Sequence, residues 1–393
     1  MPNDSLSQAK NAKNDEFYTQ YADIQAEINA YLEYDPDVFR GKTILLPCDD
    51  PEWSNFTKFF AQNFEYFGLK KLISTSYAVE SKKIKEWEPT LFETENPHYD
   101  ADKSKTNGKI FVLDRDANAN GRIDIEDLQW QYLDGDGDFR SDEVKKLRDE
   151  ADIIVTNPPF SLFREFLAWL LEGKKKFIII GNMNAITYKE VFPHLMNNEI
   201  WLGYKSLNLD MYFGVTDDYK QWLVKNKKEG SAYKVIDGVV MGRLASACWF
   251  TNLDHGKRHQ PLMLMTMADN IKFSRHKEVR GIQYSRYDNY DALEVPFTDA
   301  IPSDYDGVMG VPITFFDKYC PEQFEILGMC ENEDLYHLKT KVYPSAECKA
   351  AYLEKFGKPG TYDLNASGVI IANGVKEKVY QRILIRKKQG AEQ

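Results

Sequence analysis

The chain has 393 residues, 43% apolar and 28% charged, enough to bury the core of two domains or of one large domain with a lobe. Fifty Lys and Arg stand against 61 Asp and Glu, and the resulting −11, taken as a whole, argues against a nucleic-acid partner. No run approaches the ~18 consecutive apolar residues of a membrane-spanning helix, and the polar start of the chain has no apolar core of a secretory signal. Five widely spaced cysteines (Cys48, Cys248, Cys320, Cys330, Cys348) include no CxxC pair, which favours reduced cytoplasmic thiols over a disulfide framework or zinc ribbon.

The first 13 residues read as frayed. Phe17, Tyr21, Ile24, Ile28 and Leu32 then recur with helical spacing over 15–33. Lys42 to Pro47 is a short apolar run, read as a buried strand, and it ends in Cys-Asp-Asp-Pro. An aromatic-rich helix from Trp53 to Phe67 and a strand from Lys71 to Ser76 complete a βαβ unit. Residues 86–152 are acidic and rich in Gly and Asn, an insertion that returns to the sheet, with Lys109 to Leu113 as a strand of its own. Asp152 to Thr156 is the next strand, followed by Asn157-Pro-Pro-Phe160, a helix from Leu162 to Glu172 and a strand from Lys176 to Gly181. This alternation predicts a doubly wound α/β sheet, in which ligands bind outside the carboxyl ends of the strands. Both the Cys-Asp-Asp-Pro and the Asn-Pro-Pro-Phe turns fall there. From about residue 200 the pattern becomes irregular and rich in Tyr, Gly and Pro, and closes on a strand near Val379 to Arg386.

The Asn-Pro-Pro-Phe turn has a specific chemical use. The Asn157 side-chain oxygen and the Pro158 carbonyl can accept the two hydrogens of a planar amine, because the prolines fix the turn and remove competing N–H groups. Pro159 completes that turn, and Phe160 can stack on the ring that carries the amine. The plainer reading is a proline-stiffened loop between strand and helix.

Asp152-Ile-Ile-Val-Thr-Asn-Pro-Pro-Phe-Ser-Leu-Phe-Arg-Glu165 resembles motif IV of the S-adenosylmethionine-dependent DNA methyltransferases that act on amino groups. Asn14-Asp-Glu-Phe-Tyr-Thr19, Leu46-Pro-Cys-Asp-Asp-Pro51 with Ser54-Asn-Phe56, Gly137-Asp-Phe-Arg-Ser141, Gly181 to Thr187 and Asp306 to Thr314 extend the likeness over nearly the whole chain. In this order they resemble the EcoRI-type adenine-specific DNA methyltransferase family. The resemblance implies a class I methyltransferase fold, a doubly wound mixed sheet with helices on both faces, over residues 14–200. The likeness is weakest at the termini and over 86–135, the part of the acidic insertion that lies within this domain, and it implies an irregular target-recognition lobe over 201–393, some of whose strands rejoin the sheet. The implied reaction moves a methyl group from S-adenosylmethionine to the 6-amino group of a flipped adenine in double-stranded DNA. The implied setting is restriction–modification, with a cognate endonuclease, or orphan modification by a monomer. RNA adenine, a protein glutamine amide, and a DNA-binding protein that has lost catalysis are the other readings.

The resemblance places the cofactor near Phe17, Tyr18 and Thr19, which match the segment that closes over the methionine end. It also points to Pro47, Asp49, Asp50, Ser54 and Phe56. Unlike the wider superfamily, this first turn has no glycine; Asp49 or Asp50 can accept from the cofactor's ammonium group, or one of them caps the following helix. Asp138 and Phe139 match the contact to the cofactor's adenine, while Glu80 is poorly spaced for the ribose. Asn157 belongs to both cofactor and catalytic sets.

Asp116 to Asp127 follows the order of an EF-hand loop, with Asp116, Asn118, Asn120, Arg122 (through its carbonyl), Asp124 and Asp127 as a calcium ligand set and Gly121 at the sharp turn. A solvated turn is the competing reading. Residues 220–286 carry 13 Lys and Arg against five acids, interleaved with aromatic residues. That basic block is expected to bind DNA, with Lys257, Arg258, Arg275, Lys277 and Arg280 as candidate contacts.

Overall fold

A computed structural model describes residues 18–50, 54–78, 94 and 97–388. Phe17, Trp53, Glu80 and the frayed start lie outside the described residues. Packing divides the chain into two compact units, one reaching to Ala185 and resuming over Ile200–Gly256, the other formed by Ile186–Glu199 and the chain from Lys257 onward.

The first unit opens with β1 (Tyr18–Thr19), α1 (Tyr21–Tyr34), β2 (Thr43–Leu46), α2 (Asn55–Gln62) and β3 (Lys71–Ser76). It continues through β4 (Lys109–Leu113), β5 (Gln129–Tyr132), α3 (Asp142–Glu150), β6 (Ile153–Thr156), α4 (Phe163–Glu172) and β7 (Lys176–Asn182). After residue 200 come β8 (Trp201–Leu202), β9 (Met211–Gly214), α5 (Asp217–Asn226), β10 (Tyr233–Ile236), β11 (Val239–Leu244) and β12 (Ala247–Thr251). Eight of these strands form a mixed sheet in the order β5-β4-β3-β2-β6-β7-β12-β8. The four central strands pair parallel; β4 and β5 extend one edge antiparallel, and β12 and β8 the other. Thr-Ile-Leu-Leu in β2 and Ile-Ile-Val-Thr in β6 are buried throughout, as expected of parallel strands covered on both faces. The acidic insertion thus supplies the β4–β5 edge, and β12 and β8 enter the same sheet from beyond residue 200. From β2 the chain moves to β3 on one side, and from β6 to β7 on the other. The carboxyl ends of β2 and β6 therefore flank the switch point, where such sheets hold ligands.

Two local differences from the sequence expectation have physical causes. Tyr18 and Thr19 do not begin the helix; they pair antiparallel with Gly214 and Phe213 in a second sheet of order β1-β9-β11-β10, and α1 starts at Tyr21. The helix expected to run to Phe67 pauses at Asn63, whose amide nitrogen bonds the Phe59 carbonyl at 2.8 Å, and a last turn ends at left-handed Gly68 (φ +62°).

The expected calcium site is not supported. Asp127, where the bidentate ligand would stand, turns both oxygens to backbone donors: Oδ1 accepts from the N–H groups of Ala117 and Asn118 (2.9 and 3.0 Å), and Oδ2 from that of Asp124 (3.1 Å). The Asp124 N–H is the main cause holding this carboxyl below its ordinary pKa. Asp116 accepts from the N–H groups of Asn120 and Gly121 (3.1 and 2.7 Å). The loop is closed by its own backbone, and among the described residues no group of three or more His, Cys, Asp or Glu side chains is placed to hold a metal ion.

In the second unit β13 (Leu293–Glu294), β14 (Met309–Pro312), β18 (Arg382–Lys387) and β15 (Phe324–Met329) form a sheet in that order, and β16 (Val369–Ala372) pairs with β17 (Val375–Lys378) as a hairpin. Here α6 (Met267–Phe273) precedes the sheet and α7 (Ser345–Phe356) precedes the hairpin.

Millimolar calcium, or its removal with EGTA, is expected to leave the thermal midpoint unchanged. An ion at 100 times its Kd would add about 2.7 kcal/mol, so a calcium-dependent rise of several degrees would restore the ion.

Candidate active site

Two turns meet at the switch point. The first runs from β2 through Pro47 and Cys48 to Asp49 and Asp50; the second runs from Thr156, the last residue of β6, into Asn157–Phe160. Asp49 is 6% exposed. Its Oδ1 accepts the Ser54 hydroxyl and its Oδ2 the Thr156 hydroxyl, each at 2.6 Å. Its N–H donates to the Thr75 carbonyl on β3 at 3.0 Å, and its carbonyl accepts the Ser74 hydroxyl. One residue thereby joins the carboxyl ends of β2, β3 and β6 to the start of α2.

Ser54 also settles which residue caps α2. Its Oγ accepts from the N–H groups of Phe56 and Thr57 (3.1 and 3.5 Å), so neither aspartate is the cap. Asp50, beside Asp49, is half-buried.

Asn157 is half-buried, and its Nδ2 donates to Thr19 Oγ1 at 3.4 Å. Asn55, at the start of α2, donates to the Thr19 carbonyl at 2.8 Å. The β1 segment is therefore brought to the Asn-Pro-Pro-Phe turn across 138 residues of chain. Pro158 is buried; Pro159 and Phe160 are half-buried, and Phe160 packs on the rim of the hydrophobic core as it opens the short turn leading into α4.

The loop carrying Asp138 presses against the end of β3. A Cβ on Gly137 (φ +82°) would stand 2.3 Å from the Ser76 carbonyl oxygen, and one on Gly108 2.6 Å from the same atom, so both positions need glycine. Asp138 takes the Arg140 guanidinium on both oxygens (2.9 and 2.6 Å), and Arg140 reaches on to Glu165 of α4 at 3.0 Å. The hydrogen bond from Arg140 is the main cause holding the Asp138 carboxyl below its ordinary pKa; burial opposes it and the Tyr77 hydroxyl assists. A group depressed in this way keeps its pairing as pH falls to the ordinary carboxylate value of about 4 and loses it only below its own pKa.

Other expected contacts are placed differently. Phe56 is 2% exposed, edge-on to Trp249, and Phe139 is 5% exposed against Phe166 and Trp169, so both rings are committed to the core. Lys257 forms a 2.7 Å ion pair with the buried Asp317, and Arg258 donates to Asn198 at 3.1 Å, internal contacts of the second unit. Arg275 pairs with Asp299 at 2.8 Å yet stays 77% exposed, and Lys277 and Arg280 are exposed with no ion pair among the described residues. The basic block itself is divided: its positions through Arg243 belong to the first unit and those from Lys257 onward to the second.

Sequence reasoning missed Thr156 and Asn55. The available signal was a hydroxyl as the last residue of an otherwise aliphatic strand, directly before the turn.

The donor set fits S-adenosylmethionine. Asp50 and Asp138 are the carboxylates that could take an ammonium and an aryl amine, Asp138 sharing its oxygens with Arg140, and the glycine contacts hold the Asp138 loop close to the end of β3.

Thr156→Val keeps the shape of the side chain but withdraws a donor from a buried carboxylate. It is expected to cost about 1–3 kcal/mol, read as a lower urea midpoint with an unchanged m-value; an unchanged midpoint would sink the bracing role.

Residues 5–388 match the family described as adenine-specific methyltransferase EcoRI. The chain is 41% identical to the type II methyltransferase M.EcoRI of Escherichia coli over 332 residues, 84% of this chain and 91% of that protein. It is 34% identical to M.MpnI of Mycoplasma pneumoniae, covering 86% and 90% of the two chains, and 32% identical to M.MgeORF184P of Mycoplasma genitalium, covering 98% and 99%. No solved structure matches. With this coverage, and with the Asn-Pro-Pro-Phe turn braced at the switch point of a mixed sheet, the chain belongs to the EcoRI family of adenine-specific methyltransferases.

Proposed function

We propose that this protein methylates the 6-amino group of an adenine flipped out of double-stranded DNA, as a sequence-specific restriction–modification or orphan enzyme. The observation that carries the reading is Asn157, fixed between the end of β6 and Thr19 in a turn whose remaining residues are two prolines and a phenylalanine. The type II methyltransferase relatives support the restriction–modification setting. The central parallel strands support a class I, doubly wound arrangement for the catalytic part. Target recognition is assigned to the chain beyond residue 200, acting as a monomer.

S-adenosylmethionine, when bound, supplies an electrophilic methyl group. Asp50 would hold its ammonium group, Asp138 its adenine amine, and Tyr18 and Thr19 would line the methionine end. The chain's remaining work is positioning. The amide nitrogen of Asn157 donates to Thr19 Oγ1; its Oδ1 and the Pro158 carbonyl are the acceptor types that would take the two hydrogens of the adenine amine. The amine nitrogen is then held with its lone pair directed at the methyl carbon, and Phe160 stacks on the base. Transfer would form the N–C bond as the cofactor's S–CH3 bond breaks, so that the thioether leaves as S-adenosylhomocysteine and one amine proton passes to water. No covalent enzyme intermediate is required, so Cys48 has no nucleophilic role.

Asn157→Ala is expected to fold and bind cofactor but to lose about 100-fold or more in kcat, measured with tritiated cofactor on duplex DNA. Near-normal turnover in a folded Asn157→Ala protein would sink the mechanism, and label entering RNA or protein in place of DNA would sink the substrate assignment. Asp50→Ala is expected to raise KM for the cofactor with little change in kcat, the signature of lost uniform binding; an equal fall in kcat and kcat/KM would remove that role.

A further inference from the structure

The second unit exposes an aromatic ring inside a basic patch. Phe273, the last residue of α6, is 62% exposed, and Ile282 nearby is 50% exposed. Lys272, Arg275, Lys277 and Arg280 stand among them in sequence, all exposed, against Glu278 alone. The Lys272 ammonium lies 4.8 Å from the centre of the Phe273 ring.

The ring does not sit on a loose loop. Ser274 is buried and donates to the Asn270 carbonyl at 3.0 Å; the Gly281 N–H returns to the Ile271 carbonyl at 2.7 Å. His276 stacks flat on Phe297, with centroids 3.7 Å apart and planes 5° apart, and bonds Asp299 at 2.9 Å. Val279 is buried at 3% exposure. Two anchors, the buried Val279 and His276 hydrogen-bonded to Asp299, thus hold the backbone that follows a phenyl group left facing solvent.

A single exposed phenylalanine needs no explanation by itself. One held on a pinned loop among four cations is different, because the cations match a polyanion and the ring matches what lies between its charges. Lysine and arginine bind phosphates from outside a duplex, whereas a flat apolar side chain gains by leaving water for the stack of bases.

We propose that this loop is a DNA-contacting surface on which Lys277 and Arg280 bind backbone phosphates and Phe273 inserts between base steps. The proposal rests on the DNA reading given above and adds to it the residue that deforms the duplex. A wedge of this kind unstacks a base step and so lowers the cost of extruding a neighbouring base.

The test uses the full chain on closed circular plasmid DNA. Protein-bound plasmid is relaxed with a topoisomerase and the linking number is read on a gel, while affinity for sonicated duplex DNA is measured at several salt concentrations. The parent protein is expected to shift the linking number. Phe273→Ala is expected to lose that shift and about tenfold in affinity with its salt slope unchanged; Phe273→Trp should retain the shift. Lys277→Ala with Arg280→Ala is expected to lower the salt slope by about 2. Thermal melts of the variants should match the parent, since these side chains are exposed. A linking-number shift and affinity that survive Phe273→Ala overturn the wedge, as does a parent protein that binds and methylates the plasmid without shifting its linking number. An unchanged salt slope in the double variant overturns the phosphate surface. Failure of the parent to bind or methylate duplex DNA at all is a different result, and it overturns the DNA reading itself.

Discussion

The site depends on one buried carboxylate. Asp49 sits at 6% exposure, where an ionised group without donors would be strongly unfavourable, and the donors it receives come from two other elements, Ser54 before α2 and Thr156 at the end of β6. Because the cost of leaving the carboxylate unpaired is large, the two hydroxyls are held where they are, and each drags its own segment into register. Ser54 simultaneously caps α2, so the helix axis is fixed by the same atom. Thr156 is the residue before Asn157, so the Asn-Pro-Pro-Phe turn starts from a braced point. The donors that meet the Asp49 carboxylate here are hydroxyls, which carry no charge of their own.

Much of this arrangement could be read in the sequence because it is local. β2, β3, β6 and β7 are short aliphatic runs followed by turn residues, and their ends agree with the expected ends to within a residue or two. The Asn-Pro-Pro-Phe turn is contiguous and chemically distinctive. What could not be read depends on partners far away in the chain. Tyr18 and Thr19 are extended because Phe213 and Gly214 lie beside them, and nothing within a helical turn of Tyr18 reports that. Glu27 falls on the core face of α1, where a carboxylate breaks the apolar pattern; it is tolerated because the N–H groups of Tyr204 and Lys205 meet it at 2.7 and 2.9 Å.

The same limit applies to the surroundings of the aromatic and basic residues. Phe139 matches a ring that packs on the cofactor's adenine and Phe56 falls in a cofactor segment, but burial is a property of the neighbours, here Trp249, Phe166 and Trp169. Lys257 looks like a phosphate contact, but its partner Asp317 is almost fully buried, so removing the lysine would strand a charge and the pair is structural in character. The acidic loop is the reverse case. Its spacing copies a metal site, while its geometry satisfies Asp127 with three backbone N–H groups.

The net charge of −11 is compatible with a DNA substrate because of screening. At physiological ionic strength a charge is felt over about 8 Å, so a phosphate responds to the side chains it approaches and hardly to the total. Acid is concentrated elsewhere: residues 287–334 hold 12 acids and the single base Lys318. Several of those acids are internal partners, Asp317 to Lys257, Asp299 to Arg275 and His276, and Glu294 to the buried Arg382. Such acids neutralise neighbouring bases and hold the second unit together. Lys277 and Arg280 are exposed cations without such partners among the described residues, and they stand a few residues from an exposed ring. An acidic protein can present a basic, aromatic face when some of its carboxylates are used as internal counter-ions away from that face.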